Sequence, residues 1–258
     1  MKKVYDGLIH HPFNCLVAGP SRSGKSTFVK NLIDQQEKLI DVKFDYVLIL
    51  IGTGAGQNEL LSELAENNPS TISLIELNNL YPTLQAMRDD FPQYFKKKIR
   101  ERNETGQKGC VIFDDLMSEL ADCGILVDLF TKYSSHYNIS TVHITQNVFF
   151  KSGKRSSDNV TVYRNCHVLV LFKHVMDRTV LSTIARRICS GAYSDALSMI
   201  NYVVDTYRYI VIFGDLERPS ELRFASDIFA EDPVPHQRIF ELADKKSKCS
   251  LVKTLPEN

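Results

Sequence analysis

The chain has 258 residues, room for one sizeable α/β domain and a tight fit for two. Its 31 basic and 31 acidic side chains cancel, so global charge does not draw it to nucleic acid, and such a partner must be met by a local patch. No run reaches the roughly 18 uninterrupted apolar residues of a membrane helix, and residues 1–7 lack the apolar core and cleavage site of a secretory leader. A membrane-spanning or secreted protein is therefore not expected. Six cysteines (Cys15, Cys110, Cys123, Cys166, Cys189, Cys249) lie far apart with no C-x-x-C pair, which predicts reduced thiols in a cytosol-like compartment and no zinc site.

Residues 1–12 read as a lead-in segment ending at His10-His11-Pro12. With no third metal ligand nearby, that histidine pair is expected in a solvated or adenine-side loop. Phe13 to Ala18 is an apolar run that predicts the first strand, and a helical pattern follows, fading near Lys38. The continuous apolar run YVLILI, residues 46–51, predicts a strand buried on both faces of a parallel sheet. Gly52-Thr53-Gly54-Ala55-Gly56 has no lysine and reads as a plain strand-to-helix turn. A short helix over 57–67, a weak strand over 71–77 and a helix over about 83–102 come next, the last broken or kinked at Pro92. Its end, Phe95 to Arg102, is basic: a solvated helix face, or alternatively a DNA-facing or subunit-facing patch.

Beyond the turn at 106–109, a strand over 110–115 leads to a helix carrying Leu120, Ile125, Leu126, Leu129 and Phe130. A strand over 140–147 is followed by a basic, Ser/Gly-rich loop, 149–159. Strands at 167–172 and 207–213 flank helices at 177–189 and 192–203, and a short β piece at 222–224 precedes a polar tail from Lys245. The alternation predicts a doubly wound, mostly parallel α/β sheet. One domain is expected over 13–230, with 231–258 as a partly flexible tail.

Three stretches carry chemistry. The first, Gly19 to Ser26, reads GPSRSGKS and matches the phosphate-loop pattern G-x-x-x-x-G-K-[ST]. A β-type run before it and a helix after it set it apart from an ordinary Gly/Ser turn. Backbone N–H groups opening onto a helix N-terminus suit a polyphosphate, so Gly19, Pro20, Ser21, Arg22, Ser23, Gly24, Lys25, Ser26 and Thr27 are expected to line ATP. Lys25 would place its charge on the β- and γ-phosphates, and the Ser26 hydroxyl would join a Mg²⁺ shell. The second stretch is CVIFDDL, residues 110–116: an apolar strand delivers two carboxylates beside the phosphate site. Asp114 is placed to order Ser26 or waters around Mg²⁺, and Asp115 to polarise an attacking water; a helix cap is the bland alternative. The third is Gln146 in HITQN, an uncharged amide at a buried strand end, able to bond both the attacking water and the γ-phosphate, or simply to form a turn.

About 80 residues separate the phosphate loop from the Asp-Asp strand and hold an extra strand at 46–51. This order suggests the P-loop NTPases with an inserted strand and a catalytic acid. The arginines do not cluster as in a nucleotide-kinase lid, although Arg186-Arg187 and Arg155 leave that open. No LSGGQ-like signature and no arginine-bearing helical lid after residue 215 is seen.

Together, GPSRSGKSTF, VIFDDL, SSHYNISTVHITQNVF (134–149) and YRNCHVLVLFK (163–173) resemble the genome-packaging ATPases of large DNA viruses, the poxvirus-like branch of the FtsK–HerA superfamily. That branch also occurs in virophages, adenovirus-related elements and self-synthesising transposons. The likeness covers residues 12–215, and its distinctive part is His136 and Asn138 before a strand, Thr-Gln-Asn at its end and Arg164-Asn165 before the next. The resemblance implies an ATP-driven, Mg²⁺-dependent motor that pumps double-stranded DNA into a capsid as a homo-oligomeric ring. A capsid or portal protein would be its further partner, and it would act in the cytoplasm or nucleus, or in the virion. By position, Lys25 and Ser26 bind nucleotide and metal, Asp114 supports the metal, Asp115 activates water and Gln146 is the sensor. The acid is often glutamate in this superfamily; aspartate here is one methylene shorter. Such rings complete each site with a neighbour's arginine, for which Arg164 and Arg155 are the candidates; either could equally be a DNA-phosphate contact or a surface charge. The basic loop Lys151 to Arg155 could grip DNA phosphates without reading bases, or be an ordinary solvated flexible loop. A small-molecule kinase and a nucleotide-dependent assembly switch remain the alternatives.

Overall fold

A computed structural model describes residues 9–52, 59–116, 120, 123–149, 158–214, 223–231 and 234–235. The chain divides into two units, Met1–Val168 and Leu169–Asn258.

The first unit begins with β1 (Asn14–Ala18), buried throughout. After the phosphate loop come α1 (Lys25–Asp34) and the single turn α2 (Gln36–Leu39). Phe28, Val29, Leu32 and Ile33 form the buried stripe of α1, the spacing of a helix with one apolar face. Then follow β2 (Tyr46–Ile51), α3 (Glu59–Asn67), β3 (Ile72–Glu76), the short α4 (Leu77–Leu80) and the long α5 (Leu84–Glu104).

Helix α5 starts where the Thr83 hydroxyl accepts from the Ala86 N–H at 3.1 Å. It runs unbroken through Pro92. Met87, Phe91, Phe95 and Ile99 recur every four residues as its buried stripe, and Phe95 meets Phe113 edge-on at 5.8 Å. That packing outweighs the one backbone bond a proline removes. The basic end of α5 divides its charges: Lys96 and Lys132 share Asp128 at 3.6 and 3.7 Å, and Arg102 lies over the Tyr46 ring.

Strand β4 (Gly109–Asp114) is buried end to end. Among the described residues, the helix expected through Leu120 to Phe130 starts at Ile125, behind Gly124 at φ 70°: α6 (Ile125–Asp128), a π-helical turn (Leu129–Tyr133) and α7 (Ser134–His136) follow one another. The widened turn leaves the Phe130 carbonyl to accept from Asn14 Nδ2 at 3.0 Å. Strand β5 (Ile139–Thr145) comes next, and α8 (Asp158–Arg164) takes up the end of the expected 149–159 loop.

The strands of this unit lie in the order β3-β2-β4-β5-β1, every pair parallel. The strand inserted between the phosphate-loop strand and the Asp-Asp strand is β5, which pairs both; β2, which precedes β4 in the chain, flanks its other side.

In the second unit, β6 (Val168–Phe172) leads to α9 (Thr179–Ile188), a 3₁₀ turn (Ser190–Ala192), α10 (Tyr193–Tyr207) and β7 (Tyr209–Phe213). Strands β8 (Phe224–Ser226) and β9 (Val234–Pro235) add on antiparallel. Among the described residues no helix is long and apolar enough to cross a membrane.

Candidate nucleotide site

Parallel pairing brings the carboxyl ends of β1, β5 and β4 to one edge, with Ala18 opposite Thr145 and Ile144 opposite Asp114. The phosphate loop leaves β1 there. Its first N–H, on Gly19, donates to the Thr145 carbonyl at 3.2 Å, and the Ser23 N–H donates back to the Pro20 carbonyl at 3.3 Å. Arg22 and Gly24 both adopt left-handed backbone, at φ 61° and 103°. At Gly24, the N-cap of α1, glycine relieves what any side chain would meet. The loop thus feeds directly into the positive end of a ten-residue helix.

Lys25 Nζ donates to the Gly19 and Pro20 carbonyls, both at 2.8 Å. Burial pulls its ammonium below its ordinary pKa, while Asp115 and then Asp114 act in the opposite direction. The Ser23 hydroxyl is buried with no hydrogen-bond partner among the described residues. A left-handed turn at a helix start, a lysine confined at the loop and an orphaned hydroxyl fit a triphosphate. Ser26 at the start of α1 and the buried Asp114 at the end of β4 carry hard oxygen donors of the kind Mg²⁺ takes, and could hold it.

Asp114 is the last residue of β4, and Asp115 turns out of the strand at φ 50°. The Asp115 N–H donates to the Ile144 carbonyl at 3.2 Å. Gln146, exposed just past β5, donates from Nε2 to Asp115 Oδ2 at 2.7 Å. Thr145 and Asn147 shape that exit: the Asn147 N–H donates to the Thr145 hydroxyl at 3.3 Å, and Asn147 Oδ1 accepts from the Phe149 N–H at 2.9 Å. The loop, the two acids and the amide therefore share one edge. Lys151 to Arg155 lie outside the described residues.

Arg164 goes elsewhere. It ends α8, exposed, beside Asn165, whose carbonyl accepts from Asn14 Nδ2 at 3.3 Å. Asn14 opens β1, so Arg164 stands at the opposite end of that strand from Gly19. His11 is gathered at this same far edge, away from the phosphate loop, and His10 is exposed, in line with the solvated alternative expected for the pair. The His11 Nε2–H donates to the Asn138 carbonyl at 3.0 Å, and its Nδ1 accepts from the Ser140 hydroxyl at 2.7 Å. His10 meets Asp41 at 3.1 Å.

Two buried residues escaped the sequence reading. Asn14 bridges β1, the π-helical turn and the end of α8; its only signal was a polar residue opening an apolar run. His143, at the middle of β5, is buried with Nδ1 unpartnered, and burial brings its pKa down to about 4.

Residues 1–180 match the family described as Poxvirus A32 protein. The chain belongs to that family. No curated protein matches it. Among solved structures, EssC (ATPases 2 and 3) from Geobacillus thermodenitrificans is similar to the A32-family chain at 14% identity and TM-score 0.47, covering 95% of this chain and 45% of EssC. EccC (ATPases 2 and 3) of Thermomonospora curvata, solved with a signal sequence peptide, matches at 16% identity and TM-score 0.42, covering 61% of this chain and 30% of EccC. The type III secretion ATPase EscN of enteropathogenic E. coli matches at 11% identity and TM-score 0.39, covering 91% and 66% of the two chains. The A32-family chain thus spans less than half the length of EssC. Its phosphate-loop pattern and mostly parallel sheet give it the P-loop NTPase fold.

Proposed function

We propose that this chain is an ATP-hydrolysing motor that translocates double-stranded DNA, in the setting of viral genome packaging into a capsid. The observation that carries the reading is the 2.7 Å bond from Gln146 to Asp115 at the edge where the phosphate loop leaves β1. An acid held by an amide from the inserted strand is a device for timed hydrolysis rather than for storage of a nucleotide. Membership of the A32 family supports DNA as the load.

In this reading the loop N–H groups and Lys25 hold the triphosphate. Mg²⁺, bound through Ser26 and Asp114, would offset charge on the β- and γ-phosphates. Asp115 takes a proton from the water whose oxygen attacks the γ-phosphorus, and ADP leaves. Gln146 orients that water and relays the state of the γ-phosphate along β5. Arg164 serves the site of a neighbouring copy, because within its own chain it stands at the far end of β1. Such a group contributes on the order of 10³–10⁵ in rate. A homo-oligomeric ring grips DNA through its backbone, without reading bases, inside the infected cell or the virion, where a capsid or portal protein is the docking partner.

The test is ATP turnover by purified oligomer with and without double-stranded DNA. Stimulation that fades steeply as salt rises supports the motor. Turnover unchanged by DNA of any form overturns it.

A further inference from the structure

Asn14 is the one polar residue of β1, and it is 1% exposed. A buried amide costs free energy unless its groups are bonded. Here Nδ2 donates to two carbonyls, Phe130 at 3.0 Å and Asn165 at 3.3 Å, while Oδ1 is buried with no partner among the described residues. A half-satisfied buried amide is a poor device for stability alone. What it does satisfy are two backbone carbonyls far away in sequence.

One of those carbonyls lies at the corner where α8 ends. Arg164 is the last residue of α8, and Asn165 follows it directly. Bonds within the corner are local. The Asn165 N–H and Nδ2 donate to the Thr161 carbonyl at 3.2 and 2.8 Å, and the Cys166 thiol donates to the Tyr163 carbonyl at 3.0 Å. They shape the helix end without tying it to the sheet. Asn14 ties it. Besides the amide bond to Asn165, its backbone exchanges two bonds with His167: the Asn14 N–H donates to Nδ1 at 2.9 Å, and the His167 N–H donates to the Asn14 carbonyl at 2.8 Å. The second amide bond, to Phe130, draws the π-helical turn into the same clamp. Arg164 is thus exposed on a backbone that is held in place.

We propose that Asn14 is the positioning residue for Arg164: its amide fixes where the arginine stands, and so how well the arginine completes the site of a neighbouring copy. The proposal rests on the reading that Arg164 acts across subunits. A group with that task needs a firm root, since a misplacement of about 1 Å costs on the order of 10²-fold in rate. The rival account is that Asn14 acts on its own chain's phosphate loop, because β1 leads from Asn14 into that loop.

Asn14→Leu removes the donor at similar volume and leaves the backbone bonds to His167. The full-length variant is expected to keep the wild-type thermal shift with Mg-ATP and to lose about tenfold to a hundredfold in DNA-stimulated turnover. Its amides at 164–167 should exchange with solvent faster than in the wild type, while those at 15–18 stay unchanged. Mixing assigns the loss. Combined with Lys25→Ala subunits, which keep Asn14 and Arg164, the variant should regain turnover; combined with Arg164→Ala subunits, it should not. Recovery with Arg164→Ala instead places the defect in the phosphate loop and overturns the proposal. So does recovery with neither partner, undiminished turnover, or unchanged exchange at 164–167. Asn14→Ser, carried through the same measurements, covers poor folding of the leucine variant. Failure of the underlying reading looks different: Arg164→Ala would then turn over ATP like the wild type, and faster exchange in Asn14→Leu would leave the tether standing without its role in the neighbour's site.

Discussion

Gln146 Nε2 lies 2.7 Å from Asp115 Oδ2, so the amide just past β5 holds the acid just past β4. Removing the acid's charge should cost chemistry and not binding. Asp115→Asn is expected to lower kcat by roughly 10²–10⁴ and to leave ATP affinity within a few-fold, read by single-turnover kinetics beside equilibrium titration. Gln146→Glu is expected to be slower than Gln146→Ala, because it sets a second carboxylate against Asp115. Equal rates in those two variants would argue against a direct contact during turnover.

Lys25 bears on stability with a definite sign. Burial depresses its pKa in the folded chain below the ordinary 10.5, so the unfolded chain holds that proton more tightly, and the group's contribution to stability rises only as pH climbs through the window just below 10.5. At neutral pH the buried charge is a cost. Lys25→Met is therefore expected to melt no lower than the wild type without nucleotide, yet to lose the Mg-ATP increment, about 2.7 kcal/mol at a hundredfold excess over Kd. Thermal melts with and without Mg-ATP decide it.

His143 makes the fold sensitive to acid. Its pKa is about 4 in the folded chain against 6.5 ordinarily. Above pH 6.5 it is neutral in both states; below that the unfolded chain takes up the proton first, and stability is lost until the pH reaches about 4. The loss between pH 7.5 and 5 is about 2 kcal/mol from this residue. His143→Leu, which also removes an unpartnered buried nitrogen, should flatten the dependence of the urea midpoint over that range. An unchanged slope would mean that the imidazole finds a partner on protonation.

Arg164 can be tested by mixing. Subunits carrying Arg164→Ala keep their phosphate loop, and subunits carrying Lys25→Ala keep their arginine. If the arginine acts across subunits, the two inactive preparations should regain part of the DNA-stimulated turnover when combined. Recovery no greater than the sum of the separate rates would remove Arg164 from the site.

Much of this architecture was legible in the chain because buried parallel strands are continuous apolar runs. YVLILI and CVIFD announce β2 and β4 without help from neighbours. The phosphate loop was legible because its residue spacing is set by the geometry of a tight turn into a helix. Strand order was not: β5 follows β4 in the chain, and nothing local says that it slips between β4 and β1. The helix is not broken at Pro92 because propensity is local, while the Phe91 and Phe95 packing that overrides it is not. The π-helical turn depends on Asn14, more than a hundred residues distant in sequence. The turn of Asp115 to φ 50° has no signature either, since an aspartate tolerates that region without needing it.

The last two carbonyls of β5 have unlike clients: Thr145 receives the first N–H of the phosphate loop, and Ile144 receives the N–H of Asp115. One strand end is thus the shared hinge pin for the phosphate loop and for the acid proposed to draw the proton from the attacking water. Neither can shift along the sheet without tugging the other. In the proposed motor, a pull on the segment that continues from Gln146 would be felt at both at once, and a load there would act on the timing of hydrolysis.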